Sequence, residues 1–260
     1  MSGWVDIDEA RALPGLRLVL TAGVPGPWGE AAKGVFHVKG IPFARVRQAA
    51  GRDNEALFAW TGHRNAPVAV FDDEPPRAGW SGILHLAERL APEPSLVPDD
   101  PDERVLLFGL ANELLGEGGL GWCRRLMLFR NALGDADEPP EAMRPFLDRM
   151  LRQYGYSREA ARAAPERVAG ILRLFAARLR AQREAGRAFL LGDRLSALDI
   201  YWAAFAGLVD PLPPEYCPMS EAMRGQYTTS APVVLAALDP ALLQHRDAIY
   251  REYLELPIEL

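Results

Sequence analysis

Apolar positions in the first ninety residues alternate between two periods. Residues 16 to 21, LRLVLT, form a short run rich in Leu and Val, which predicts a buried strand. Gly23-Val-Pro-Gly-Pro27 breaks it. Pro27 suits the first position of a helix, where a missing N–H costs nothing. That helix is expected from about residue 27 to 39, with Ala31, Val35, Phe36 and Val38 on its buried side and Gly40 as its stop. Residues 43 to 47 alternate and predict a second strand, and residues 55 to 60 a short helix or turn. Residues 67 to 71, PVAVF, predict a third strand, followed by the loop 72 to 76. Ser81 then caps a helix through Leu90, with Ile83, Leu84, Ala87 and Leu90 at helical spacing.

Beyond Ala91 the pattern changes. Residues 92 to 101 hold Pro92, Pro94, Pro98 and Pro101 and read as a linker. Nearly everything after it carries helical spacing. Helices are expected over 102 to 115 and 121 to 133, broken at the glycines of 116 to 121. Others follow over 139 to 154, 165 to 184 and 240 to 254. Ser196 with Asp199 three residues on is a capping-box variant, and Leu195 and Ile200 have the spacing of a hydrophobic staple. Residues 210 to 229 hold four prolines and read as an insertion. The expected organisation is an α/β unit over 1–91, the linker 92–101, and an all-helical unit over 102–260.

A chain of 260 residues is comfortable for two such domains. The net charge of −6 argues against nucleic acid and against an anionic membrane surface as partners. No run of eighteen apolar residues occurs, so no membrane span is expected. Asp6, Asp8 and Glu9 do not fit a signal peptide, and two cysteines are too few for a disulfide scaffold, so a cytoplasmic protein is expected. His37, His63, His85 and His245 are scattered without ligand spacing, so no metal is expected. Gly116-Glu-Gly-Gly119 lacks the Lys-Ser or Lys-Thr of a phosphate loop.

Three segments occur in order with telling gaps. They are Gly26-Pro27-Trp28 with Lys39-Gly40-Ile41-Pro42 downstream, Ala66-Pro67 with Ser81, and Gly192-Asp193 with Ser196 and Asp199. They resemble the glutathione S-transferase family over roughly residues 16 to 205. The resemblance implies an α/β thioredoxin-like N-terminal domain followed by an all-α helical-bundle C-terminal domain. It implies a further short strand near residues 77 to 79 and a cis peptide before Pro67. Glutathione is the implied co-substrate, with its cysteine moiety on the main chain of Ala66 beside Pro67. Its γ-glutamyl carboxylate would lie at the head of the helix that holds Trp80 and Ser81, where free N–H groups favour an anion. The thiol would face the head of the first helix, near Trp28. A small apolar electrophile would occupy a cleft between the domains, and a homodimer is implied.

The chain departs from the pattern at two positions. Gly26 stands where the family carries Ser or Cys, and it can neither donate a side-chain hydrogen bond nor form a mixed disulfide. Backbone N–H groups near Trp28 are left to stabilise a thiolate. Thr21 is the nearest upstream hydroxyl and a candidate activator; its alternative role is to cap a turn. Trp80 stands where the family has an acid, and it is expected to pack over the loop 72 to 76. Arg77 is a candidate for a substrate carboxylate, and Asp72, Asp73 and Glu74 are candidates to replace the acid. Trp122, Cys123 and Arg125 are the expected lining of the second-substrate pocket. Arg125 or Arg124 is a candidate to orient an acidic group there, and the alternative is a helical kink with solvated arginines. Cys123 reads as a buried apolar thiol and Cys217, in a proline-rich loop, as a more exposed one. Two functions compete: a transferase, acting by conjugation, thiolytic cleavage or isomerisation, and a non-catalytic binding protein that has lost the activating side chain.

Overall fold

The computed structural model describes residues 3–134, 141 and 144–260. The first ninety residues build a five-stranded sheet from β1 (Trp4–Val5), β2 (Leu16–Thr21), β3 (Phe43–Gln48), β4 (Val68–Phe71) and β5 (Arg77–Ala78). The spatial order is β1-β3-β2-β4-β5. β2 runs parallel to β3, with Leu16 opposite Phe43 and Thr21 opposite Gln48. β4 is antiparallel to both β2 and β5. Alternation along β2 sorts its side chains onto two faces. Leu16, Leu18 and Leu20 join the main core beneath α2 (Pro27–Val38) and α4 (Trp80–Leu90). Val19 joins a smaller cluster with Ala10 of α1 (Ile7–Ala12) and Leu57 of α3 (Glu55–Thr61).

The strands and helices expected between residues 16 and 90 are present, including the short strand near residue 77. Gly40 ends α2 in a left-handed conformation, and Ile41 N donates back to Phe36 O at 2.9 Å. Two local differences stand out. β1 and α1 precede the expected first strand; a two-residue edge strand is too short to carry a period. The cap of α4 is Gly79, at φ +89°, and not Ser81. A residue free to take positive φ starts the helix two residues earlier than a Ser81 cap would, which moves Ser81 into its first turn.

After residue 100 the described regular elements are helices: α5 (Pro101–Leu115), α6 (Leu120–Leu133), α7 (Arg144–Gln153), α8 (Arg158–Glu184), α9 (Ala197–Ala206), α10 (Glu221–Tyr227), α11 (Pro232–Ala237) and α12 (Pro240–Tyr253). The expected start of the 139–154 helix falls partly outside the described residues. Asp100 caps α5, accepting from Asp102 N and Glu103 N at 3.0 and 2.9 Å. α5 and α6 are separate, and a Cβ on Gly119 would meet Glu113 O at 2.7 Å. α8 starts seven residues before the expected Pro165, because Ser157 caps it and Ala161 and Ala164 extend its buried stripe. An interior proline removes one donor and does not stop a helix held by such a stripe. No described helix is long and apolar enough to cross a membrane.

α9 is buried along its whole length. The Asp199 carboxylate at its start is fully buried. It accepts from Ser196 N at 3.0 Å, Ser196 Oγ at 2.9 Å and Leu190 N at 2.8 Å, and faces His245 Nε2 at 2.8 Å. The capping box read from the sequence is therefore a four-partner hub joining α9 to the 190 segment and to α12. After α12, residues 254 to 260 turn back onto the first domain. Arg45 pairs with Glu255 at 3.1 Å and Glu259 at 2.6 Å, and Lys33 Nζ donates to Glu259 O at 3.0 Å.

Asp199→Ala leaves a buried imidazole, a hydroxyl and two amides without their acceptor. The expected loss is about 3–5 kcal/mol of stability, read as a lowered urea midpoint.

Candidate functional site

A cavity of about 410 Å³ lies between the sheet domain and the helices. Its floor is the head of α2, with Gly26, Trp28 and Gly29, together with Thr21, Gln48 and Ala66. Its opposite wall is α6, which presents Arg125, Leu128, Phe129 and Ala132 at helical spacing. Tyr154, just beyond α7, and Tyr227 of α10 close the far end. The 210–229 insertion thus supplies wall residues.

Gly26 is the N-cap of α2, with φ −68°. Its N–H donates to Val24 O at 2.9 Å, and Pro27 has no N–H. The first amides left over at the helix head are those of Trp28 and Gly29, the expected anion-stabilising groups. No heavy atom lies within 4 Å of where a Cβ on Gly26 would stand, so a side chain there would enter open cavity. The Trp28 side chain is spent on architecture. Its Nε1 donates to Leu115 O at 2.9 Å, and its ring meets Phe205 edge-on at 5.1 Å. Gly121 of α6 makes room for it, because a Cβ there would lie 2.9 Å from the indole.

Thr21 Oγ1 donates to Gln48 Oε1 at 2.8 Å, and Gln48 Nε2 donates to Ala49 O and Arg64 O. Its hydroxyl therefore joins neighbouring strands and caps no turn. The Ala66-Pro67 peptide is cis. Ala66 lines the cavity; Pro67, Trp80, Ser81, Trp122 and Cys123 do not. The β4–β5 ladder pairs Val68 with Ala78, so the head of α4 begins close to the strand end that carries Ala66. Trp80 does not pack over the 72–76 loop. It sits between Phe108 at 6.0 Å and Tyr201 at 5.9 Å, drawn across by the aromatic surface of α5 and α9. The nearby ionic side chains are engaged: Arg77 with Glu74 and Pro75 O, Glu74 with Arg89, and Asp72 with Gly15 N.

Trp122 lies behind Tyr154, ring to ring at 4.7 Å. Cys123 is buried with Sγ 3.5 Å from Gly118 O, and burial pushes its thiol up. Cys217 is also buried, contrary to the exposure expected of a proline-rich loop, and burial pushes it up to about 11. Neither thiol has the environment of a nucleophile. Arg124 and Arg125 are not solvated arginines. Arg124 is fully buried and donates to Leu208 O and Tyr227 O at 2.7 and 3.0 Å. Burial and the neighbouring Arg125 lower it to about 10, so it stays charged at neutral pH. Burial also acts to lower Arg125, but the Tyr227 and Tyr154 hydroxyls outweigh it and the net shift is upward.

The residues that the sequence left unmarked are Glu30, Lys33, Tyr154 and Tyr227. The Glu30–Lys33 spacing, three apart on one helix, was the available signal. Lys33 Nζ lies 2.9 Å from Glu30 Oε1 at the cavity edge. Burial raises the Glu30 pKa above its ordinary value, and the nearby Lys33 and Arg45 only partly offset it.

The sequence matches no protein-family model and no curated protein. Solved structures do match. A glutathione S-transferase from Methylobacterium radiotolerans, in complex with glutathione sulfonate, is 19% identical with a TM-score of 0.62, covering 91% of each chain. A glutathione transferase family member from Pseudomonas fluorescens, with two glutathione bound, is 14% identical with a TM-score of 0.61, covering 95% of this chain and 94% of that one. Rice GST1 in complex with glutathione is 20% identical with a TM-score of 0.57, over 94% and 93%. The fold is that of the glutathione S-transferases. At these identities the glutathione transferase likeness speaks for architecture: a thioredoxin-like N-terminal domain on a helical C-terminal domain.

Glu30 gives a pH prediction. With a folded pKa above the unfolded one, the native state keeps a proton that the unfolded chain has lost. Stability therefore falls as pH rises through the window that opens at the ordinary value of 4.5. Glu30→Gln should flatten that fall, seen in urea midpoints measured from acidic to neutral pH.

Proposed function

We propose that the chain binds glutathione on the sheet domain and presents its thiolate, at the head of α2, to an apolar electrophile in the cavity. The observation that carries this reading is that one cavity joins the Trp28 and Gly29 segment and Ala66 to a largely apolar helical wall. In this pose the cysteine moiety of glutathione pairs with the Ala66 main chain as one added strand-like rung. Its γ-glutamyl carboxylate rests on the free amides at the head of α4, with Ser81 supplying a hydroxyl. The thiolate lies against the Trp28 and Gly29 amides and the positive end of α2, which favour the charged sulfur. It forms the new S–C bond by attack on the electrophilic carbon, and the leaving group departs with the bonding pair. The glutathione bound in the structural neighbours supports the ligand. Exposed Val105 and Leu106 on α5 support a homodimer, and the absence of a membrane-crossing helix among the described residues is compatible with a cytoplasmic site of action.

A second reading is a glutathione-binding protein without turnover. Gly26 favours it, since no side chain reaches the thiol, and so does Thr21, whose proton is directed to Gln48.

Calorimetric titration with reduced glutathione and with S-hexyl glutathione tests both readings at once. Binding of both is expected; binding of neither would overturn each. Gly26→Ser places a hydroxyl in open space, and a donor to a charged group is worth about 1.5–3 kcal/mol. Turnover should rise about tenfold to a hundredfold, and an unchanged rate would rule out the proposed thiol position. Ser81→Ala should weaken glutathione binding by about 0.5–1.5 kcal/mol. An undiminished affinity would remove Ser81 from the site.

A further inference from the structure

Arg125 is a cation at the cavity wall. Among the described residues no carboxylate forms an ion pair with it, and the groups that act on it are the side chains of Tyr227 and Tyr154. Its guanidinium lies over the Tyr227 ring, 5.7 Å from the centroid. Its Nε is buried and finds no acceptor among the described residues. The same is true of Nε in Arg17 and Arg45, but those guanidiniums are otherwise satisfied. Arg17 donates to Leu13 O, Gly15 O and Asp72 O, and Arg45 pairs with Glu255 and Glu259.

The other charges at the cavity compensate one another. Glu30 pairs with Lys33, and Glu259 with Arg45. Arg124, adjacent in sequence, adds a second cation beside Arg125, and its donors are used on two carbonyls. Among the described residues, α6 thus brings two neighbouring cations, Arg124 behind the wall and Arg125 on it, with no carboxylate paired to either. Tyr227 and Tyr154 help to hold the charge of Arg125, whose guanidinium, with Nε still without an acceptor among the described residues, is positioned to take an anion as a further charge-assisted partner. A planar guanidinium fits a carboxylate with two parallel hydrogen bonds. The remaining wall is apolar, from Leu128, Phe129, Leu147 and Met150. Tyr154 connects the two ends of the space: its side chain acts on Arg125, and its ring stands 6.4 Å from that of Trp28.

We propose that Arg125 is the recognition residue for a carboxylate on the second ligand, and that this ligand is a small acid with an apolar or aromatic body. The carboxylate docks on Arg125 between Tyr154 and Tyr227, and the body lies along α6 toward the head of α2. That the far end meets a thiolate rests on the glutathione reading above; the acid site itself does not.

The test compares 4-phenylbutyrate with its uncharged methyl ester, titrated calorimetrically into the wild type, Arg125→Gln and Arg125→Lys. The wild type is expected to prefer the acid by at least about tenfold, in line with a hydrogen-bonded charged pair. Arg125→Gln should erase that preference while leaving ester affinity unchanged, and Arg125→Lys should restore part of it. Thermal midpoints of the two variants check that they fold, and the lysine variant keeps the test decisive if the glutamine one does not. Equal binding of acid and ester by the wild type, no binding of the acid, or a preference that survives in Arg125→Gln would each overturn the proposal. Glutathione is titrated into the same proteins. An undiminished affinity in Arg125→Gln is expected. A drop there would mean that Arg125 serves a carboxylate of glutathione, which overturns the proposal and leaves the thiol site standing. An intact acid preference in a wild type that ignores glutathione would sink the transferase reading alone.

Discussion

Helix α9 can be buried along its whole length only because the charge at its start is fully satisfied. A carboxylate removed from water costs several kcal/mol unless it is paired and hydrogen-bonded. Asp199 meets that condition through Ser196, Leu190 and His245. With α9 fixed, α2 packs against one side of it, and α5 and α12 against others. Phe205, near its end, is the surface on which Trp28 rests edge-on. The head of α2 is thus placed relative to the helical domain by a chain of contacts that begins at one buried acid.

The same arrangement explains what the cavity can and cannot do. Its floor offers backbone amides and no activating side chain, because residue 26 is glycine and the Thr21 hydroxyl is turned to Gln48. Its wall offers a guanidinium that no carboxylate among the described residues pairs with. Chemistry at such a site depends more on placement and electrostatics than on a nucleophile supplied by the protein. The two cysteines, both buried and both pushed up, reinforce this.

Much of the fold was legible in the sequence because it is written locally. The Leu and Val run of β2, the proline at the start of α2, Gly40 at its end and the Ser196–Asp199 pair each signal through their own neighbours. β1 and α1 were illegible because two strand residues carry no period. Ser81 lost the cap to Gly79 because a backbone at positive φ outranked a side-chain oxygen. The site was less legible. Trp28, Thr21, Ala66 and Arg125 do converge on one cavity, but Tyr154 and Tyr227, 73 positions apart in the chain, meet at Arg125 only through tertiary packing. Trp80 faces α5 and α9 because of aromatic partners far away in sequence, which no local pattern reveals. The tail contacts of Arg45 and Lys33 span more than two hundred residues and belong to the same class.

Gly121 has a consequence for selectivity. With no side chain there, the backbone of α6 comes down onto the indole of Trp28, and Arg125 sits one helical turn further along the same rigid rod. The distance between the floor of the cavity and its cation is therefore set by helix geometry and by one ring in contact with bare backbone. A wall carried on a loop would adapt to whatever entered. On the two readings proposed above, this one would act as a ruler, sorting ligands by how far their charged end lies from their reactive end.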